Sequence, residues 1–323
     1  MFVQFTALKL LRIEMAINLT KKFRFVYLAK INLAVFTLIF SVPVYGEQLT
    51  PPIPKAPGAE FRQLNQHLFE AAKKGYVKEL KQYLEAGASV KARDRFGNTA
   101  LLIAARANKI KSVKTLLEFG SKINHQNLVG SSALLRAATA DRRKIAKFLV
   151  ENGANVNLAN QKGVTPIIAS AFNGDLKLLD FLIVRGGSIE TIDNTGKSAI
   201  VYAAARGDTE IVSRLLDKGI DPNTQYGNDL TVLMWAAGFS NDVPENEGEQ
   251  TVRVLLEHGA KVNERDNRGW TALTIAAERG HLGVVKLLLA ERADQHLRAK
   301  DGKTAYAVAR QSGQNAIAKL LKP

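Results

Sequence analysis

The stretch DNRGWTALTIAAERGHLGVVKLLLAERAD, residues 266–294, sets a glycine, Gly269, two residues before a hydroxyl residue, Thr271, then a pair of alanines and a run of leucines. The same order of residue types recurs along the chain, with hydroxyls at Thr99, Ser132, Thr165, Ser198, Thr231, Thr271 and Thr304. Successive gaps are 33 residues except one of 40, between Thr231 and Thr271. A period in the low thirties means one supersecondary unit copied in tandem, each copy too small to bury its own apolar face and so stacked on its neighbours.

Each recurring residue type has a physical reason. Gly97, Gly130, Gly163, Gly196, Gly269 and Gly302 stand where a tight turn needs positive φ. The following Thr or Ser suits a helix N-cap, and Pro166 after Thr165 stands where a missing N–H does no harm. Small pairs come next: Ala104-Ala105, Ala137-Ala138, Ser170-Ala171, Ala203-Ala204, Ala236-Ala237 and Ala276-Ala277. They let helices of adjacent copies approach closely. A second apolar run then ends at Gly120, Gly153, Gly186, Gly219 or Gly259, where a left-handed residue terminates a helix. The span between hydroxyl and glycine predicts two short helices per copy.

These residues closely resemble the ankyrin repeat family. Its pattern is matched by Thr271-Ala272-Leu273, Ala276-Ala277, Gly280-His281 and Val284-Val285-Lys286-Leu287-Leu288-Leu289, and its closing element by Gly153-Ala154-Asn155-Val156-Asn157 and Gly259-Ala260-Lys261-Val262-Asn263. The resemblance implies an all-α solenoid of about eight stacked helix-turn-helix units with hairpin-like turns. The copies are expected near 61–93, 94–126, 127–159, 160–192, 193–225, 226–265, 266–298 and 299–323. The first and last depart from the pattern and are expected to be caps.

Ahead of the array the composition changes. Lys21, Lys22, Arg24 and Lys30 precede an uncharged run, INLAVFTLIFSVPV, from Ile31 to Val44. A basic stretch, an apolar run shorter than a membrane span and small residues after it predict a secretory signal peptide over 1–46. Cleavage is expected between Gly46 and Glu47, and Met15 is an alternative start. An uncleaved anchor is the rival reading. Residues 47–60, with Pro51, Pro52, Pro54 and Pro57, read as an extended linker. The expected location is the periplasm, otherwise the secreted space or the inner membrane through an uncleaved leader; a bacterial source is inferred from the leader.

The chain has no cysteine, which excludes thiol catalysis, disulfides and cysteine-type zinc sites. Its net charge is +15; six Lys/Arg and one acidic residue lie before position 47, so the remainder keeps +10. Basic clusters stand at the first end of the array and at Arg142, Arg143, Lys144 and Lys147. They read as solvated helix faces, with weak, salt-sensitive attraction to anionic envelope polymers or lipid headgroups as the alternative. No nucleic-acid reading module accompanies them. Gly196-Lys197-Ser198 and Gly302-Lys303-Thr304 lack the upstream glycine of a phosphate loop. The five histidines lie far apart in sequence, no serine has a nucleophile-elbow motif, and neither metal nor cofactor is expected. The seven extra residues fall in GFSNDVPENEGEQ, 238–250, read as a tolerated, solvent-exposed loop; its carboxylates, Asp242, Glu245, Glu247 and Glu249, lack calcium-loop spacing.

The resemblance also implies where a partner sits: on hairpin tips and the exposed side of each first helix. Those positions are Arg95, Phe96 and Arg106, Leu128 and Val129, Val164 and Phe172, Leu230 and Phe239, and Arg268, Trp270 and Arg279. Apolar and aromatic residues along one groove mark an interaction face, with Trp and Arg as typical anchors. The opposing reading is that Phe172 and Phe239 pack between copies and that Trp270 merely covers its hairpin. The expected function is non-catalytic: a monomeric protein-binding scaffold of the envelope or secreted space. The alternatives are a secreted or surface-anchored factor acting on a host or cell-surface protein, and an enzyme using the acidic insertion.

Overall fold

The computed structural model describes residues 59–323. The leader, the junction at Gly46 and Glu47, the alternative start Met15 and the linker through residue 58 lie outside the described residues. Helix α1 begins at Ala59, so the last two residues assigned to the linker are helical.

Sixteen α-helices in eight pairs make up the described residues. The pairs are α1 (Ala59–Lys74) with α2 (Val77–Glu85), α3 (Ala100–Arg106) with α4 (Ile110–Glu118), α5 (Ala133–Thr139) with α6 (Arg143–Glu151), and α7 (Pro166–Asn173) with α8 (Leu176–Val184). There follow α9 (Ala199–Ala205) with α10 (Thr209–Asp217), α11 (Val232–Ala237) with α12 (Glu245–Glu257), α13 (Ala272–Arg279) with α14 (Leu282–Ala290), and α15 (Ala305–Gln311) with α16 (Asn315–Leu320). Each first helix packs on the first helix of the next copy, from α1 through α15, and most of the second helices likewise pack on their neighbours. The predicted solenoid of about eight copies is what the chain forms.

The alanine pairs are fully buried. Ser170 takes the same place without stranding a polar group, because its hydroxyl donates to the Ile167 carbonyl at 2.7 Å. The hydroxyls of Ser132, Thr165, Thr231, Thr271 and Thr304 accept an amide three residues on, as expected of N-caps. Thr99 and Ser198 depart from that expectation: neither side chain caps its helix.

Two sets of hydrogen bonds join the copies. At the hairpin tips the amides of Leu128, Gln161, Asn194, Gly227, Asn267 and Lys300 donate to carbonyls of the preceding tip, at 2.9 to 3.1 Å. Near the outer ends Asn124, Asn157, Asn223 and Asn263 each accept an amide of the next copy, those of Asn155, Ser188, Lys261 and Asp294, at 2.8 or 2.9 Å. This explains the asparagine that closes the second, third, fifth and sixth copies. Glu190 stands in that place at the boundary of the fourth and fifth copies. We expect Glu190→Asn to form the missing bond to the Asp221 amide and stabilise the array by about 0.5–2 kcal/mol, read as a higher denaturation midpoint; no gain would mean the backbone spacing there differs.

Candidate functional site

Five hairpins are each organised by the Asp or Asn that opens them. Asp94, Asn127, Asn160, Asp193 and Asp266 each accept, through Oδ1, the amides two and four residues on. This turns the intervening side chains outward. The sixth hairpin has Tyr226 in that role's position and folds differently, pairing β1 (Gln225–Tyr226) with β2 (Leu230–Thr231) across Asn228 and Asp229, both at positive φ. Asn and Asp are the side chains that tolerate such a conformation best.

At the second and third hairpins the tips form one wall of a depression of about 930 Å³. Phe96 is 56% exposed, Leu128 65% and Val129 54%. Ile103 from α3 and Arg136 from α5 contribute to its lining, with Arg106 and Lys73 as further cations and Asp94 as the single acid. Both Asp94 oxygens are engaged, Oδ1 by the Phe96 and Asn98 amides and Oδ2 by the Asn98 side-chain amide at 2.9 Å. Burial, and secondarily the like charge of Arg106, hold the Arg136 guanidinium below its ordinary pKa, against the pull of Asp94. Its Nε is buried without a hydrogen-bond partner.

Farther along, Phe172 meets Tyr202 edge to face at 5.6 Å. Tyr202 donates to Asp193 Oδ2 at 2.6 Å, and the Lys197 ammonium lies 5.7 Å from the Tyr202 ring and 5.1 Å from the Trp235 ring. Burial opposes ionisation of Asp193, but the Tyr202 and Thr195 hydroxyls and the Lys197 and Thr195 amides outweigh it and hold its carboxyl below the usual range. Tyr202 is pushed up by burial and by that same carboxylate.

The structure sorts the sequence-derived residues into three groups. Arg106, Phe96, Leu128 and Val129 line the depression, with Arg95 placed over Phe96 at 4.8 Å, and Phe172 is exposed. Val164, Leu230 and Trp270 share one register, immediately before the hydroxyl, and are half-buried against the core. Arg268 covers Trp270 at 4.1 Å while bound to Asp266 at 2.7 Å. Arg279 is exposed at the end of α13. Phe239 is the correction: it is 2% exposed and belongs to the core. Arg136, Tyr202 and Trp235 lie outside the sequence-derived set, although all three stand four residues after a repeat hydroxyl, as does Ile103. That periodic position carried the signal.

The insertion is solvent-exposed over most of its length, as expected, but only its first part is loop. Its latter part is the first turn of α12, where Glu245 and Glu247 suit the helix dipole. Glu245 also accepts the Gly283 amide at 3.0 Å, and Ser240 donates to the Ala205 carbonyl at 3.2 Å. Phe239 stacks on His281, ring centroids 3.7 Å apart, and His281 Nε2 lies 3.2 Å from the Phe239 carbonyl.

Burial lowers the His281 pKa below its ordinary 6.5, outweighing the Phe239 carbonyl and Glu245, which raise it; nearby Arg279 lowers it further. A depressed histidine leaves the unfolded chain binding more protons below about pH 6.5, so the contribution is present above that value and is lost as pH falls toward the folded pKa. The melting temperature is expected to drop between about pH 7 and 5 more steeply in the parent than in His281→Gln. Parallel curves would refute this.

Three of the other four histidines have ordinary structural partners. His67 stacks on Tyr83, His125 Nε2 lies 2.9 Å from the Gly97 carbonyl, and His258 contacts the Val254 carbonyl and Asp217. In the basic cluster Arg143 is bound to Asp175 at 2.7 Å and Lys147 lies over Phe181 at 5.1 Å. No helix among the described residues is long and apolar enough to cross a membrane.

A family model described as ankyrin repeats (3 copies) matches residues 68–160, 167–266 and 233–323. Over 75 residues, 23% of this chain, the sequence is 45% identical to ankyrin repeat domain-containing protein 63 of Mus musculus and equally to that of Homo sapiens, covering 18% of each. It is 48% identical over 42 residues, 13% of this chain, to the 2-5A-dependent ribonuclease of Mus musculus, covering 6% of that protein. The chain therefore spans under a fifth of the length of these relatives.

Proposed function

Because the chain belongs to the ankyrin repeat family, we propose that it is a non-catalytic scaffold that holds a partner protein against its hairpin tips and first helices, outside the cytoplasm. The observation that carries the reading is the exposed apolar wall of Phe96, Leu128 and Val129 beside the depression. Apolar side chains held out by a rigid hairpin lose water-exposed area only when something covers them. The exposed Phe172, touching Tyr202, offers a further contact along the same series of repeats.

The location rests on the basic stretch and uncharged run before residue 47. On this reading the chain works as a monomer, beginning at Glu47 in the periplasm or the secreted space, or at the inner membrane if the leader is retained. Mass measurement of the protein recovered from cell fractions tests it, and full-length chain in the cytosol would refute it.

For the binding face, Phe96→Ala is expected to weaken partner capture by about 1 kcal/mol or more with little change in melting. Equal capture would remove this wall from the interface. Trp270 is less suited to that test, since its half-buried ring also supports the fold.

A further inference from the structure

Resting on the protein-binding reading above, we infer that the depression at the second and third hairpins takes an acidic segment of the partner protein, an Asp or Glu beside a bulky apolar residue. The carboxylate pairs with the Arg136 guanidinium, and the apolar side chain seats against Phe96, Leu128 and Val129.

Three observations meet in this pocket. Arg136 Nε is shielded from water and has no acceptor; an unpaired buried donor is costly, and a carboxylate oxygen is the acceptor that a planar guanidinium fork fits best. The charges are unbalanced: Lys73, Arg106 and Arg136 face the single acid Asp94, whose oxygens already serve the hairpin. An incoming anion relieves the repulsion between Arg106 and Arg136. Finally, the same space is walled by exposed apolar side chains. A nucleic-acid or polyphosphate strand would use the cations and leave that wall uncovered; a peptide carrying both chemistries satisfies both.

The test selects a phage-displayed random-peptide library on the full-length chain, then measures the enriched peptides on the parent, Arg136→Gln, Arg136→Lys and Phe96→Ser. Enriched sequences are expected to place Asp or Glu beside Leu, Ile or Phe. Their affinity should fall about tenfold on Arg136→Gln, less on Arg136→Lys, with unchanged melting midpoints. Replacing the peptide's acid by its amide should weaken binding to the parent and add little on Arg136→Gln. Enrichment without acids, or equal affinity for Arg136→Gln, overturns the acidic chemistry; if such peptides still lose affinity on Phe96→Ser, the groove itself stands. If nothing is enriched, or no enriched peptide responds to Phe96→Ser, the groove reading falls too. Displacement of the enriched peptides by inorganic polyphosphate from Arg136→Gln as readily as from the parent would also count against a carboxylate site there.

Discussion

Phe239→Ala is expected to cost about 3–5 kcal/mol of stability, the largest effect of any single truncation named for this chain. The ring is wholly interior, lies face to face with His281, and fits so closely against α12 that a Cβ on Gly248 would stand 2.2 Å from ring carbon Cε1. Gly248 is thus a helix-interior glycine with a steric reason: the ring occupies the volume a side chain would need. Removing the ring opens a cavity bounded by the α12 backbone and by His281, and the junction of the sixth and seventh copies depends on both. Chemical denaturation monitored by circular dichroism checks the value. A loss below about 1 kcal/mol is what a solvent-exposed or partner-contacting side chain would show, and would return Phe239 to the surface.

Gly130→Ala should cost roughly 2–4 kcal/mol through two separate penalties, left-handed backbone strain and overpacking. Gly130 has φ +75°, and a Cβ there would approach the Gln161 nitrogen to 2.8 Å and the Asn160 Cα to 3.1 Å. The contact is with backbone of the next copy, in the strip where Gln161 donates to the Val129 carbonyl at 3.0 Å; it cannot yield by a side-chain rotation. Gly120 supplies the control, since it has φ +80° with nothing within 4 Å of the added atom. Gly120→Ala should therefore show only the conformational cost, about 1–2 kcal/mol. Equal losses at the two positions would mean that the hairpins stand farther apart than described.

These two residues mark how far the sequence could be read. The 33-residue spacing located Gly130 and its turn, because a tandem repeat imposes the same backbone on every copy. It could not reveal that the glycine also makes room for its neighbour, a fact about contact between copies. Phe239 lies where the period breaks: it stands eight residues after Thr231, the place that exposed Arg279 holds after Thr271, but the extra residues bring α12 over that position. Arg136 shows a third kind of gap. Its place four residues after Ser132 is visible in the sequence, yet its significance arises from Phe96 and Arg106 of the preceding copy, brought beside it and Leu128 only by stacking.

The asparagine ties of the outer edge skip the boundary where Glu190 stands, leaving there the tip bonds from the Asn194 amide to the Lys162 carbonyl and from the Asn194 side chain to the Gln161 carbonyl, and the ion pair of Arg214 with Asp180. Exposed pairs add little and weaken further in salt. A linear stack transmits tension from copy to copy and has no second route around a weak link. Drawn apart by its ends, the molecule would part more readily at this boundary than at the neighbouring tied ones, and opening there would split the aromatic pair of Phe172 and Tyr202.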